Sequence, residues 1–145
     1  MLRLSTRRTC GIFAPSGPHT AGVLTADISG APATVCLSSL DGKDLTRSRH
    51  MLLTHITDVQ GDGTVYADAE RQVLLRWGHG TLIERGQAQI EIRLAKPRGL
   101  RVYELDTSGR RLAPVPCQQT DGGIAFTVST DNGQGQGRIY YEIGK

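Results

Sequence analysis

Cysteines, aromatic residues and long apolar runs are all scarce in this chain. Its three cysteines, Cys10, Cys36 and Cys117, are isolated and odd in number. They show no CxxC spacing, so neither a zinc knuckle nor a thioredoxin-type motif is present. They read as buried reduced thiols in preference to a disulfide framework, which weakly favours a reducing compartment such as the cytoplasm. No stretch approaches the ~18 apolar residues that span a membrane, so no membrane partner is expected. Charged residues are 21% of the chain, too few for charge-driven disorder. The basic excess is equally small, 17 Lys and Arg against 14 Asp and Glu. Arg3, Arg7 and Arg8 precede the first acid, Asp27, and removing those 3 from 17 leaves 14 bases against 14 acids. An excess confined to the first eight residues is not the basic face that a phosphate backbone needs, so nucleic acid is not an expected partner.

What is present suits one globular domain, residues 1–145. At this length roughly 68–70% of the unfolded surface can be buried, so a self-sufficient core is feasible. The first thirteen residues are basic and free of acids, as organelle transit peptides are, but they lack the continuous apolar run of a secretory signal. Leu2 and Leu4 alternate with Arg3 and Ser5, which predicts a half-buried first strand.

Period two dominates the remainder. Ala88-Gln-Ile90-Glu-Ile92-Arg-Leu94 alternates apolar and polar without a break, the signature of a strand with one buried face. Ile124, Phe126 and Val128 repeat it, as do Ile139, Tyr141 and Ile143. Further strands are expected over Val23–Ile28, Thr34–Leu40, Met51–Val59, Val73–Trp77, Leu100–Leu105 and Ala113–Cys117. Asp41-Gly42, Thr107-Ser108-Gly109 and Asp121-Gly122-Gly123 supply reversal chemistry, and the last two predict a three-stranded meander over Leu100–Val128. Ala14-Pro15-Ser16-Gly17-Pro18 cannot be a central strand, because proline lacks the ladder donor, and reads as a long loop or a strand-crossing connection. Asp68–Leu75 is the one helix candidate, and its Val73-Leu74-Leu75 end suits a strand equally well. The expectation is an all-β, two-sheet antiparallel sandwich, jelly-roll or Ig-like, of about nine to ten short strands.

Catalytic signals do not rise above chance. His50 and His55 are separated by an odd spacing, so a regular strand points them to opposite faces and they cannot share a metal. Asp58, Asp62 and Asp68 lie in an oxygen-rich stretch that makes them weak calcium candidates, although the EF-hand pattern fails at Gln60. The carboxylates of Asp58–Glu70, with Glu84 and Glu104, offer many pairs for glycoside hydrolysis and no distinctive spacing. No serine sits in a G-x-S-x-G elbow. Gly133-Gln-Gly135-Gln-Gly137 mimics a phosphate loop, but a strand follows where a helix N-terminus is required. No cofactor is expected. Aromatic platforms are what a sugar face needs, and Trp77, Tyr66 and the neighbouring His79 are the candidates for contacting carbohydrate or an interface. Trp77 precedes the turn Gly78-His79-Gly80, where a ring is either a core plug at a sheet edge or an exposed platform.

The order of segments is itself informative. Phe13-Ala-Pro-Ser-Gly-Pro-His-Thr is followed by Leu37-Ser-Ser-Leu-Asp-Gly-Lys-Asp-Leu, then Ser48-Arg-His-Met-Leu-Leu-Thr-His and Asp58-Val-Gln-Gly-Asp-Gly-Thr. Trp77-Gly, Leu82-Ile-Glu, Leu100-Arg-Val-Tyr-Glu-Leu-Asp and Gly109-Arg-Arg-Leu complete it. This series resembles the C-terminal β-sandwich domain appended to some bacterial glycoside hydrolases whose catalytic part is a (β/α)8 barrel. Gly61-Asp62-Gly63-Thr64 stands where such domains commonly read Asn-Thr-Gly-Met, and Thr81 stands where a proline follows Trp-Gly. The resemblance implies a non-catalytic accessory domain that packs against, or orients, a glycosidase barrel. A carbohydrate-binding module acting through exposed aromatics is the alternative. The accessory reading expects an apolar patch left open for the barrel, through which two copies can also pair.

Overall fold

The unbroken alternations become the central strands. In the computed structural model, which describes residues 1–145, there are sixteen strands and no helix. They run β1 (Leu2–Ser5), β2 (Thr9–Ala14), β3 (Gly17–Ala21), β4 (Leu24–Gly30), β5 (Ala33–Ser39), β6 (Met51–Ile56), β7 (Val59–Asp62) and β8 (Val65–Tyr66). Then follow β9 (Leu74–Arg76), β10 (His79–Ile83), β11 (Gly86–Arg93), β12 (Arg101–Leu105), β13 (Arg111–Val115), β14 (Cys117–Thr120), β15 (Gly123–Ser129) and β16 (Tyr140–Gly144). The expected nine or ten strands fall short, because the runs Met51–Val59 and Ala113–Cys117 divide, β2 and β3 lie outside the expected runs, and β8 and β10 add to the strand expected over Val73–Trp77.

All pairing is antiparallel. Seven strands form one sheet in the order β1-β2-β5-β6-β16-β12-β13, and five form another in the order β14-β15-β11-β4-β3. Two ribbons, β7 with β10 and β8 with β9, stand outside both. β11 is central to the five-stranded sheet, registered on β15 through Ile90 opposite Phe126 and on β4 through Ile90 opposite Ala26. Its residues alternate strictly between buried and exposed, as the sequence pattern requires. Buried side chains from both large sheets merge into one cluster of 24 residues, giving a sandwich-like arrangement. Tyr141 on β16 donates its hydroxyl to the Ser129 carbonyl (2.5 Å) and accepts the Ser129 N–H (3.1 Å), a polar tie from the seven-stranded sheet to β15 of the other. Burial pushes the Tyr141 phenol up to about 12, so the tie stays intact across the neutral range.

Proline decides several crossings. Pro15 and Ser16 carry the chain from β2 in the larger sheet to β3 in the smaller, so this segment is a short crossing and not a long loop. Pro18 falls in β3, an edge strand, where the missing N–H costs no ladder bond. Pro116 corrects the predicted meander. The run Ala113–Cys117 is cut there, so β12–β13 form a hairpin in the larger sheet while β14–β15 form one in the smaller. The first strand also needs correction: β1 pairs with β2, but all four of its residues are exposed. Lying at the sheet's edge, it places Leu2 beside Phe13 on the outer surface. Asp68–Leu75 is not helical. The Asp68 carboxylate accepts the Gln72 N–H at 2.9 Å and competes with a helical bond there, while Arg71 turns left-handed at φ 58°.

The glycine-rich Gly133–Gly137 segment closes a loop bridged from Asp131 to Gly137 ahead of β16. The three cysteines are free, with Cys10 buried in the core.

Candidate functional site

The predicted strand Met51–Val59 ends early, and that is the origin of the site. Met51, Leu53 and His55 supply the inward face of β6, but beyond Thr57 the sequence offers Asp58, Gly61, Asp62 and Gly63 in place of further apolar alternation. The chain therefore leaves the seven-stranded sheet at β6 and joins the five-stranded sheet at β11. Its exit is clamped by buried hydroxyls: Thr57 and Thr130 both donate to the Glu84 carbonyl, at 2.5 and 2.9 Å. Glu84 N–H in turn donates to the Asp58 carbonyl (2.9 Å), and Thr130 Oγ1 accepts the Gly86 N–H (2.9 Å).

Between these clamps residues 58–85 form an arm of paired β7–β10 and β8–β9. Where the two ribbons meet, Gly78 packs directly on the backbone of Asp62. A Cβ at position 78 would stand 2.0 Å from the Asp62 carbonyl oxygen, so no larger residue fits. Thr64 Oγ1 completes the junction by donating to the Gly61 carbonyl (2.7 Å) and accepting the Gly78 N–H (3.0 Å). Gly61 and Gly78 are the arm's only fully buried residues.

An element this long with no side chain of its own in a core leaves its apolar groups in water. Of the 13 large hydrophobic side chains exposed on the whole protein, seven lie on the arm: Val59, Val65, Val73, Leu74, Leu75, Trp77 and Leu82. Trp77 and Leu75 are both 65% exposed. The core-plug reading of Trp77 is therefore wrong, because β9 belongs to a ribbon outside both large sheets. A second, smaller group, Leu2, Leu4 and Phe13, marks the β1–β2 edge.

The three aromatic-site candidates all fall on this arm. Tyr66 is half-buried and pairs with Leu74 across the outer ribbon; His79 is exposed and pairs with Asp62 across the inner one. The calcium candidates do not come together. Asp58 forms an ion pair with Arg71, Asp68 caps the Gln72 N–H, and Asp62 lies at the Gly78 junction. No group of three or more His, Cys, Asp or Glu side chains is placed to hold a metal ion. Among the carboxylates weighed for hydrolysis, Asp58 and Glu84 line an open cavity of ≈ 300 Å³, with Arg71 already engaged on Asp58. His50 and His55 are separated as their spacing requires: His50 is exposed against Glu142 (2.8 Å), and His55 is buried.

Two features were missed by sequence reasoning. The arm itself hides behind an ordinary-looking strand run, and its only signal is the loss of alternation after Thr57. The second is a basic cavity between Lys43–Arg49 and Ala95–Lys96, whose parts lie about fifty residues apart.

Fold and site together define an all-β antiparallel domain that presents an apolar arm. No family model, no curated protein and no solved structure matches the chain.

Proposed function

We propose that the chain is a two-sheet sandwich, jelly-roll or Ig-like, serving as a non-catalytic accessory domain of a bacterial glycoside hydrolase, with the arm as its docking element for a (β/α)8 catalytic barrel. The observation that supports this reading is the gathering of seven large exposed hydrophobic side chains on an element that has no core. Single exposed apolar residues are ordinary, but seven of the protein's thirteen large exposed hydrophobics on one element point to an interaction surface. Interfaces between domains bury on the order of 600–1,500 Å², so such docking would cover the arm's exposed apolar side chains. The sequence resemblance to sandwich domains appended to such barrels gives the partner its identity.

Co-expression with any glycosidase barrel encoded beside this sequence tests the proposal. Co-elution that is lost in Leu75→Asp and Trp77→Asp, with circular dichroism unchanged, is the expected result. Absence of any barrel encoded there, or association indifferent to both substitutions, overturns it.

A carbohydrate-binding module is the second reading, favoured by the exposure of Trp77 two residues before His79, which is also exposed at the start of β10. It predicts polysaccharide binding in a glycan-array screen that disappears in Trp77→Ala. A screen without any hit removes this reading and leaves the docking arm.

A further inference from the structure

Four cations converge on one cavity that the arm does not touch. Segments Lys43–Arg49 and Ala95–Arg98 are bound to each other by Ala95 N–H donating to the Thr46 carbonyl (2.8 Å). Arg49 reinforces this, donating Nη1 to the Lys96 carbonyl and Nη2 to the Arg98 carbonyl, each at 2.7 Å. The cavity they enclose is ≈ 530 Å³ and is lined by Lys43, Arg47, Arg49, Ala95 and Lys96. That volume lies within the roughly 300–1,000 Å³ range of small-molecule sites.

The charge is poorly compensated. Asp44 is ion-paired with Arg7 at 3.0 Å. Asp41 stands 3.9 Å from the Lys43 ammonium, but its carboxylate is also occupied by the Arg49 and Lys43 N–H groups and the Ser39 and Ser48 hydroxyls. Arg47 and Lys96 have no acidic partner, and Arg49 Nε is buried without a hydrogen-bond partner. Neither an acid nor an aromatic ring lines the cavity. An anion is the ligand this arrangement favours: Arg47 offers a planar fork of donors and Lys96 a point charge, while the aliphatic stems of Lys43, Arg47 and Lys96 provide apolar walls.

We propose that this cavity binds an acidic saccharide through its carboxylate or sulfate group. The choice of a saccharide rests on the carbohydrate-active reading above; the preference for an anion rests on the cavity alone. A sugar ring carrying an acidic substituent matches cations set above apolar walls. A nucleic-acid strand is a poorer match, because no aromatic platform is present for its bases and the cations gather in a cavity instead of following a strand.

The test is calorimetric titration of the full chain with trigalacturonate, a sulfated chondroitin disaccharide and neutral maltotriose, with short poly-dT and tetra-aspartate as other polyanions. One or both acidic saccharides should bind, weakening as salt is raised, while maltotriose does not. Arg47→Gln/Lys96→Gln, both at exposed positions, should reduce affinity about tenfold or more by removing two charge-assisted contacts. Arg47→Lys, which keeps the charge but loses the fork, should fall between. Trigalacturonate against the sulfated disaccharide identifies which acidic group is preferred. Binding of maltotriose equal to the acidic sugars, tighter binding of poly-dT or tetra-aspartate, an unaffected double variant, or no binding of any anion overturns the proposal. Leu75→Asp and Trp77→Asp should leave the titration unchanged, so failed barrel docking with retained saccharide binding rejects only the docking reading, and the converse rejects only this one.

Discussion

Lowering the pH should destabilise this protein through a single histidine. His55 is fully buried on the inner face of β6, opposite Val35, and neither ring nitrogen has a hydrogen-bond partner. Burial without a partner disfavours the imidazolium and pulls its pKa from 6.5 down to about 4. In the unfolded chain the ring titrates near its ordinary value. Between pH 6.5 and 4 the unfolded chain therefore holds a proton that the folded chain lacks, and stability falls as pH falls. Above pH 6.5 there is no such loss. Each unit of difference corresponds to ~1.36 kcal/mol, so the full window is worth about 3 kcal/mol, a large share of the 5–15 kcal/mol of a typical domain. His55→Leu should be within about 1 kcal/mol of the parent at pH 7, because the apolar side chain also removes two unpaired polar atoms. At pH 4.5 the variant should be the more stable by about 2 kcal/mol. Urea unfolding followed by circular dichroism at pH 7, 6, 5 and 4.5 measures both; Trp77 fluorescence is a poor probe, since that ring is already largely in water. An identical pH slope in the two proteins would refute the reasoning.

Three further perturbations probe the frame. Tyr141→Phe removes the tie between β16 and Ser129 and leaves the N–H and carbonyl of Ser129 without it, at a cost of about 1–3 kcal/mol in urea unfolding. Gly78→Ala drives a Cβ into the Asp62 carbonyl and should disrupt the arm while the large sheets persist, seen as hydrogen exchange accelerated over residues 59–83 only. Asp41→Asn weakens an acceptor whose carboxylate gathers donors from Ser39, Ser48, Lys43 and Arg49, at a cost of about 1–3 kcal/mol at pH 7. Those bonds hold its carboxyl well below the usual carboxylate range, so its contribution is complete above pH ~3.8 and is lost as pH falls below that value.

Legibility in the sequence followed burial. β11 and β15 carry uninterrupted alternation, and both lie in the interior of the five-stranded sheet, where one face must be apolar and the other is wet. Turn chemistry located both late hairpins, but which sheet each joins depended on Pro116, a non-local choice that spacing does not encode. β1 shows the limit of pattern reading. Leu2 and Leu4 have the spacing of a half-buried strand, yet at a sheet edge there is nothing above them to cover that face. The arm was the least visible. Only β9 falls within an expected run, Val73–Trp77; the arm's strands are two to five residues long and bury almost nothing, so the other three carry no hydrophobic period. Trp77 reads as preceding a turn at Gly78-His79-Gly80, but His79 opens β10 instead; Trp77, Tyr66 and His79 nonetheless lie on one element, the arm. The basic cavity could not be read from composition, since its charges come from two segments and are hidden in an otherwise balanced chain.

Hydrogen exchange with and without the partnered glycosidase barrel tests the central claim most directly. The docking account predicts that the barrel slows exchange over residues 58–85 and that Trp77→Asp abolishes this protection. Protection confined to the outer faces of the two large sheets, or none at saturating barrel, would contradict it.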